Sequence, residues 1–72
     1  MKKKFNVTDV DCADCARKME EAINKIDGVT SAKLNFLTEK LTIEADDSKF
    51  NDIVDLAEAE MRKVDKGATI VR

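Results

Sequence analysis

The chain has 72 residues, which is the size of one small domain, and such a domain buries only about 60% of the surface that its unfolded chain exposes. Its 13 basic and 15 acidic residues give a net charge of −2, so charge offers no basis for binding nucleic acid. The chain lacks Trp, Tyr, His and Pro, which leaves no base-stacking platform and poor means for general acid–base catalysis. We therefore expect neither a nucleic-acid-binding protein nor an enzyme.

The first predicted element is a strand from Lys4 to Val10, in which Phe5 and Val7 alternate with polar residues. Lysines precede this strand as in a secretory signal, but the alternation leaves no apolar signal core. The longest apolar runs of the chain are too short to span a bilayer. We therefore expect a cytosolic domain, either free or as the cytosolic part of a membrane protein.

Both cysteines follow this strand, in the segment Asp11-Cys12-Ala13-Asp14-Cys15. In the cytosol such a pair is typical of a metal or redox site rather than of a structural disulfide. The N-terminus of the helix that follows favours thiolates through its free N–H groups and its partial positive charge. Because two sulfurs do not close a tetrahedral zinc site, the segment predicts an incomplete, accessible metal site in which a carboxylate assists.

The residue before the first cysteine bears on which metal ion would bind. Two thiolates alone suit Cu(I), whereas sulfur combined with a carboxylate suits Zn(II) or its larger relative Cd(II). Asp11 therefore favours a divalent ion, and its negative charge disfavours Cu(I).

Two alternatives remain for the cysteines. A thioredoxin-like redox pair also belongs at a helix start, but we expect Asp11 and Asp14 to raise the thiol pKa, and the chain has no Pro to supply a cis-proline. Cys15 also lies on the apolar stripe of the next helix, where a free cysteine often serves as a small core residue. Packing alone does not explain Cys12 or the two flanking acids.

The remaining pattern predicts two helices and three more strands. An amphipathic helix runs from Cys15 to Ile26 and ends at Asp27-Gly28, with Gly28 as its C-terminal cap. The other elements are a hairpin of 29–36 and 41–45 with its bend near 37–39, a helix from about Lys49 to Val64 capped by Asp47 or Ser48, and a strand over 68–71. This order predicts one α+β domain over residues 1–72 with the ferredoxin-like βαββαβ fold, a four-stranded antiparallel sheet with both helices on one face.

The second predicted helix carries one charged residue, Glu60, in an otherwise apolar arc of about 160° that begins at Leu56. A carboxylate in such an arc costs desolvation free energy unless it has a partner or reaches water. Glu60 is therefore either a rim residue or a further oxygen ligand that points towards the cysteine segment.

Taken together, these segments resemble the heavy-metal-associated domain, found as copper chaperones and as N-terminal domains of heavy-metal-pumping P-type ATPases. The resemblance covers essentially the whole chain, and it rests on the cysteine segment and on the segments 28–29 and 36–41. The family usually has Met-x-Cys-x-x-Cys with Thr or Ser before the first Cys, where this chain has Val10 and Asp11. Asp-Cys-x-x-Cys is similar to the variant in bacterial ATPases that export Zn(II), Cd(II) and Pb(II).

The resemblance implies a cytosolic module that binds one Cd²⁺, Zn²⁺ or Pb²⁺ ion through Cys12, Cys15 and Asp11, with Glu60 as an additional candidate. It also implies delivery of the ion to the membrane transport core of an ATPase, or regulation of that core. Three alternatives stay open: a Cu(I) chaperone of the same fold, a thiol–disulfide oxidoreductase, and a homodimer in which one metal bridges the cysteines of two chains.

Overall fold

The computed structural model describes residues 1–10 and 12–71. Four strands and two helices follow one another along the chain, with one 3₁₀ turn over Asp47–Lys49. They are β1 (Lys2–Thr8), α1 (Ala13–Asn24), β2 (Val29–Asn35), β3 (Lys40–Ala45), α2 (Phe50–Val64) and β4 (Thr69–Val71). The order of element types is the predicted one.

The strands form one antiparallel sheet in the order β2-β3-β1-β4, and both helices cover the same face of it. Alternate strand residues and the apolar helix stripes enclose the core between the two layers. Its largest fully buried side chains are Val10, Met19, Ile23, Leu41, Ile43, Ile53 and Met61. The predicted ferredoxin-like fold is confirmed. No helix in the described part of the chain is long and apolar enough to cross a bilayer.

Several predicted boundaries were wrong. β1 ends at Thr8 rather than Val10, because Asp9 takes a left-handed conformation (φ 60°) that breaks the extended chain. α1 ends at Asn24, so Gly28 is not its immediate cap and lies in the turn before β2. The side chain that accepts a backbone N–H at the start of the 3₁₀ turn belongs to Asp46, not to Asp47 or Ser48. Leu56 lies outside the buried stripe and is 52% exposed.

Gly28 is the glycine that the turn between α1 and β2 requires. Its φ of 98° is a conformation that side chains rarely adopt, and a Cβ there would lie 3.0 Å from Cδ1 of Ile53. We expect Gly28→Ala to lower the free energy of unfolding by about 1–2 kcal/mol. Gly28→Asn is the control, because asparagine tolerates positive φ. Its free energy of unfolding, measured in urea, should fall by less than that of the alanine variant. An alanine variant as stable as the parent would contradict this assignment.

The edge strands β2 and β4 are closed by side chains from the helices. Asn24 accepts the Ala32 N–H (2.9 Å) and donates to the Ala32 carbonyl (3.0 Å), while Glu20 accepts the Leu34 N–H (2.9 Å). On the opposite edge Glu58 accepts the Ile70 N–H (2.9 Å). These contacts satisfy edge groups that would otherwise be free to pair with another chain.

We therefore expect Asn24→Ala to lower the free energy of unfolding by about 1–3 kcal/mol, since it leaves both part-buried Ala32 backbone groups without this partner. Asn51→Ala removes the same side chain from an exposed position on α2 and should change the stability by less than about 0.5 kcal/mol. Equal losses in the two variants, measured by chemical denaturation, would contradict the edge-closing role of Asn24.

Candidate metal centre

The cysteines lie where the loop after β1 enters α1. Val10 is fully buried and anchors this loop in the core, and Cys12 is the N-terminal cap residue of α1. Its extended backbone (φ −113°, ψ 126°) directs the chain into the helix, where its carbonyl accepts the Ala16 N–H at 2.9 Å. Cys15 follows in the first helical turn. The cap geometry thus places both sulfurs at the N-terminal end of α1.

The two thiols differ in exposure. Cys12 is exposed, whereas Cys15 is half-buried and packs against the core. Neither is in a disulfide. The prediction that Cys15 shares the apolar stripe is confirmed, but it remains accessible enough to act together with Cys12. A cation bound between them would be held from the core side and reached from the solvent side.

The N-terminal end of α1 stabilises the thiolate of Cys12. Interaction with the Cys15 backbone N–H is the largest cause of a lowered Cys12 thiol pKa, followed by the Cys15 thiol and the Asp14 backbone N–H. The predicted effect of the helix N-terminus is therefore confirmed at this residue. The Asp14 charge raises this pKa, as expected, but it is the smallest of the causes and the net pKa is lowered; Asp11 lies outside the described residues.

The pKa of the Cys15 thiol is raised, first because it donates a hydrogen bond to Cys12, then because of burial and of the Cys12 charge. Cys12 therefore ionises before Cys15. The pair thus offers one thiolate and one thiol over an intermediate pH range, the arrangement in which a thiol–thiolate hydrogen bond is strongest. Binding a cation to both sulfurs would displace the proton between them.

The Asp14 carboxylate is engaged by two neighbouring basic side chains. It forms ion pairs with Arg17 (2.8 Å) and Lys18 (3.8 Å), and the hydrogen bond from Arg17 is the main cause of its lowered pKa. One of the two arguments against a redox pair, the raised pKa, therefore does not hold for Cys12. The absence of any Pro from the chain still counts against that alternative.

The loop between α2 and β4 lies beside the cysteines, and sequence reasoning missed its acidic residue. Asp65 is half-buried, accepts the Gly67 N–H at 3.0 Å and raises the pKa of Cys15 through its charge. A Cβ on Gly67 would lie 2.4 Å from the Asp9 carboxylate, so this loop also contacts the end of β1. The position of Asp65 directly after the predicted second helix was the available signal.

We expect Asp65→Asn to lower the thiol pKa of Cys15, because it removes a negative charge that opposes ionisation. Alkylation of Cys15, followed by peptide mass spectrometry across a pH series, should then proceed at lower pH than in the parent chain. Asp52→Asn, in the first turn of α2, is the matched control. A Cys15 pH profile that is the same in all three proteins would contradict the electrostatic contact.

Of the other predicted ligands, only Glu60 lies within the described residues, and the structure does not group it with the sulfurs. Asp11 lies outside the described residues. Glu60 is at the rim of α2, 31% exposed, with an ion pair to Lys63 at 3.0 Å. Within residues 1–10 and 12–71, no three or more Cys, His, Asp or Glu side chains form a group that would hold a metal ion. The described site is therefore the cysteine pair, with Asp65 nearby.

Comparison with known proteins places this site in a family. The sequence profile of the heavy-metal-associated domain family matches residues 4–63. The chain is 41% identical over 59 residues to the zinc/cadmium/lead-transporting P-type ATPase of Escherichia coli K12, and 40% identical over 58 residues to the copper-exporting P-type ATPase of Bacillus subtilis 168. These matches cover 82% and 81% of this chain but only 8% and 7% of the two ATPases.

Two solved structures give the same result. The N-terminal domain of ZntA in its apo form has a TM-score of 0.74 at 34% identity, covering 99% of this chain and 92% of that one. The CopZ metallochaperone has a TM-score of 0.74 at 33% identity, covering 99% and 100%. The resemblance indicated by the cysteine segment is thus confirmed, and the chain belongs to the heavy-metal-associated domain family.

Proposed function

We propose that this chain binds a divalent soft cation, Zn(II), Cd(II) or Pb(II), through Cys12, Cys15 and Asp11, and passes it to a membrane transport core or regulates that core. The observation that carries the proposal is the pair of accessible, unoxidised thiols at the start of α1, immediately preceded in sequence by an acid. The similarity to a zinc/cadmium/lead-transporting ATPase supports the choice of ion.

The asymmetry of the thiols suits stepwise transfer. Exposed Cys12, with its lowered pKa, would bind an incoming ion first, and Cys15 would follow as its proton leaves. In the reverse direction Cys12 is the sulfur that an acceptor thiolate reaches from solvent. Each step exchanges one metal–sulfur bond for another without a change in oxidation state, so the chain needs no catalytic residue.

The partner is proposed on the same basis. A transport core takes the ion either within the same polypeptide or by contact between separate proteins, since the matched relatives include an ATPase and the matched structures a metallochaperone. Both arrangements place the domain on the cytosolic side, where thiols remain reduced. A homodimer bridged by one ion through four sulfurs is the remaining form of the same chemistry.

Cadmium-113 NMR of the loaded chain tests the ligand set, because the chemical shift reports how many sulfurs surround the ion. We expect a shift for two sulfurs with oxygen ligands, and a monomer in sedimentation velocity with and without Cd(II). A four-sulfur shift with a metal-dependent dimer would replace the monomeric site by the bridged one. A shift with no sulfur would reject the proposal.

Ligation by Glu60 stays a prediction, and it requires this carboxylate to leave Lys63. A ligand role predicts that Glu60→Gln weakens Cd(II) binding and changes the cadmium-113 shift. Lys63→Gln is the matched control, because it breaks the same ion pair and leaves the carboxylate free to bind. Unchanged binding in both variants would show that Glu60 is a rim residue.

The second candidate function is Cu(I) transfer, which the similarity to a copper-exporting ATPase favours, together with the match to the CopZ metallochaperone over 99% of the chain. The fold and the cysteine pair serve both functions equally. Only the residue beside Cys12 separates them chemically, because a carboxylate favours the harder divalent ion.

A further inference from the structure

The face of the sheet turned away from the helices carries a concentration of lysines. Cross-strand pairing places Lys2 beside Glu44, Lys4 and Lys33 on either side of Thr42, and Lys40 between Asn6 and Asn35. We call Lys2, Lys4, Lys33 and Lys40 the lysine face. Neighbouring strands are about 4.8 Å apart, so the Cα atoms of Lys4 and Lys33 are only about 10 Å apart, with Thr42 between them.

This face is positive although the chain as a whole is negative. Its charged strand residues are the four lysines and Glu44, which give +3; since the whole chain carries −2, all other residues together carry −5. Within residues 1–10 and 12–71, none of the four ammonium groups forms an ion pair. Lys40 donates instead to the amide oxygen of Asn6. The four lysines therefore have no ion-pair partner, and the acids near them are Glu44, across from Lys2, and Glu20, at the groove.

Two exposed apolar side chains lie at the end of the sheet that carries Lys40. Leu37, at the tip of the hairpin between β2 and β3, is 81% exposed, and Val71, which pairs with Asn6, is 48% exposed. An open groove of about 760 Å³ beside the tip is lined by three of these lysines (Lys4, Lys33 and Lys40), by one acid, Glu20, and by Phe36 and Thr38, among others. Because Phe36 and Thr38 flank Leu37 in the sequence, the exposed tip borders this groove, in which lysines outnumber the single acid.

We propose that this surface docks on a membrane that contains anionic lipids, with the lysines on the headgroups and Leu37 in the interface. Basic side chains near an anionic leaflet each contribute to binding, and a partly inserted apolar residue adds to it. A planar bilayer contacts only the positive face. A nucleic acid has no base-stacking platform here, because Phe5 and Phe50 are buried in the core and Phe36 is half-buried against it.

The docked orientation has a consequence for the cysteines. Lys40 begins β3 opposite Asn6, and β1 ends two residues later at Thr8, so the hairpin tip and the cysteine loop lie at the same end of the sheet. Docking through the tip would hold the thiols close to the membrane surface. In the proposed function, that is where a transport core would receive the ion.

Vesicle flotation of the 72-residue chain tests this docking. Vesicles of phosphatidylcholine with phosphatidylglycerol at about a third of the lipid should bind the chain, and pure phosphatidylcholine should not. Binding should disappear at about 1 M salt, where screening is nearly complete. Equal binding to both vesicle types, or none to either, would overturn the proposal. Tighter binding to oligothymidine than to the anionic vesicles would assign the face to nucleic acid instead.

Paired variants locate the surface. Lys4→Gln with Lys33→Gln should weaken vesicle binding by about 25-fold, roughly fivefold for each lysine. Lys25→Gln with Lys49→Gln makes the same change in net charge on exposed lysines of the helix side, and should weaken binding by less than about twofold. Equal losses in both double variants would show that net charge, not this face, drives binding.

Leu37→Ser supplies an independent measurement. If the Leu37 side chain enters the membrane interface, this variant should bind the anionic vesicles about fivefold more weakly. Replacing a largely exposed hairpin residue should not affect folding, which circular dichroism checks. Unchanged vesicle binding would remove the tip from the docking surface and overturn the proposed orientation. Metal affinity should be unaltered in every variant, so failure of docking is distinguishable from failure of metal binding.

Discussion

Replacing both thiols, Cys12→Ser with Cys15→Ser, is expected to abolish Cd(II) and Zn(II) binding, with affinity falling by more than about 100-fold. Removing a residue that only hydrogen-bonds to a metal ligand can already weaken metal binding by about 10- to 100-fold. Here both sulfur ligands themselves are removed. Serine hydroxyls are not ionised near neutral pH and do not replace thiolates for soft cations. Competition with a chromophoric chelator measures the affinity.

The single variants test the asymmetry of the pair. In Cys12→Ser the main causes of the raised Cys15 pKa disappear, so Cys15 should ionise at lower pH than in the parent chain. In Cys15→Ser the Cys12 thiol keeps the backbone N–H groups of Asp14 and of residue 15 as stabilising partners. Metal uptake undiminished in the double variant, with the fold intact by circular dichroism, would refute the thiol site.

Sequence patterns were sufficient for the type and order of the elements. Alternation and helical periodicity report which side chains face a core, and a chain with one core leaves few ways to arrange six such elements. The ends of the strands and helices depended on the backbone conformation of single residues, which the hydrophobic pattern of the sequence does not report. Asp9 breaks β1 through a positive φ, and α1 ends three residues before Asp27 with Gly28 in the turn that follows.

The candidate site was predictable where its residues are adjacent in sequence. Cys12 and Cys15 are joined by one helical turn, so spacing alone places them together. Asp65 reaches Cys15 from 50 positions away, a contact that only the packing of α2 on α1 creates. The net direction of the Cys12 pKa was missed because the backbone N–H groups of Cys15 and Asp14 and the Cys15 thiol together outweigh the Asp14 charge.

Asp11→Ala is expected to separate the divalent ions from Cu(I). Removal of an oxygen ligand should weaken Zn(II) and Cd(II) binding by about 10- to 100-fold, while Cu(I), which is satisfied by two thiolates, should change by less than about threefold. Chelator competition under anaerobic conditions measures both affinities on the same protein. Comparable losses of affinity for Cu(I) and for the divalent ions would contradict the assignment to divalent cations.

The chain provides a matched control for this change in Asp14, the other acid beside the cysteines. Asp14→Ala removes the same charge, but that carboxylate is held by Arg17 and Lys18 and opposes Cys12 ionisation only weakly. It should therefore leave the affinity for both kinds of ion nearly unchanged. If Asp14→Ala reproduced the effect of Asp11→Ala, general electrostatics near the thiols would account for metal preference. A loss confined to Asp11→Ala and to divalent ions requires a direct oxygen ligand next to Cys12.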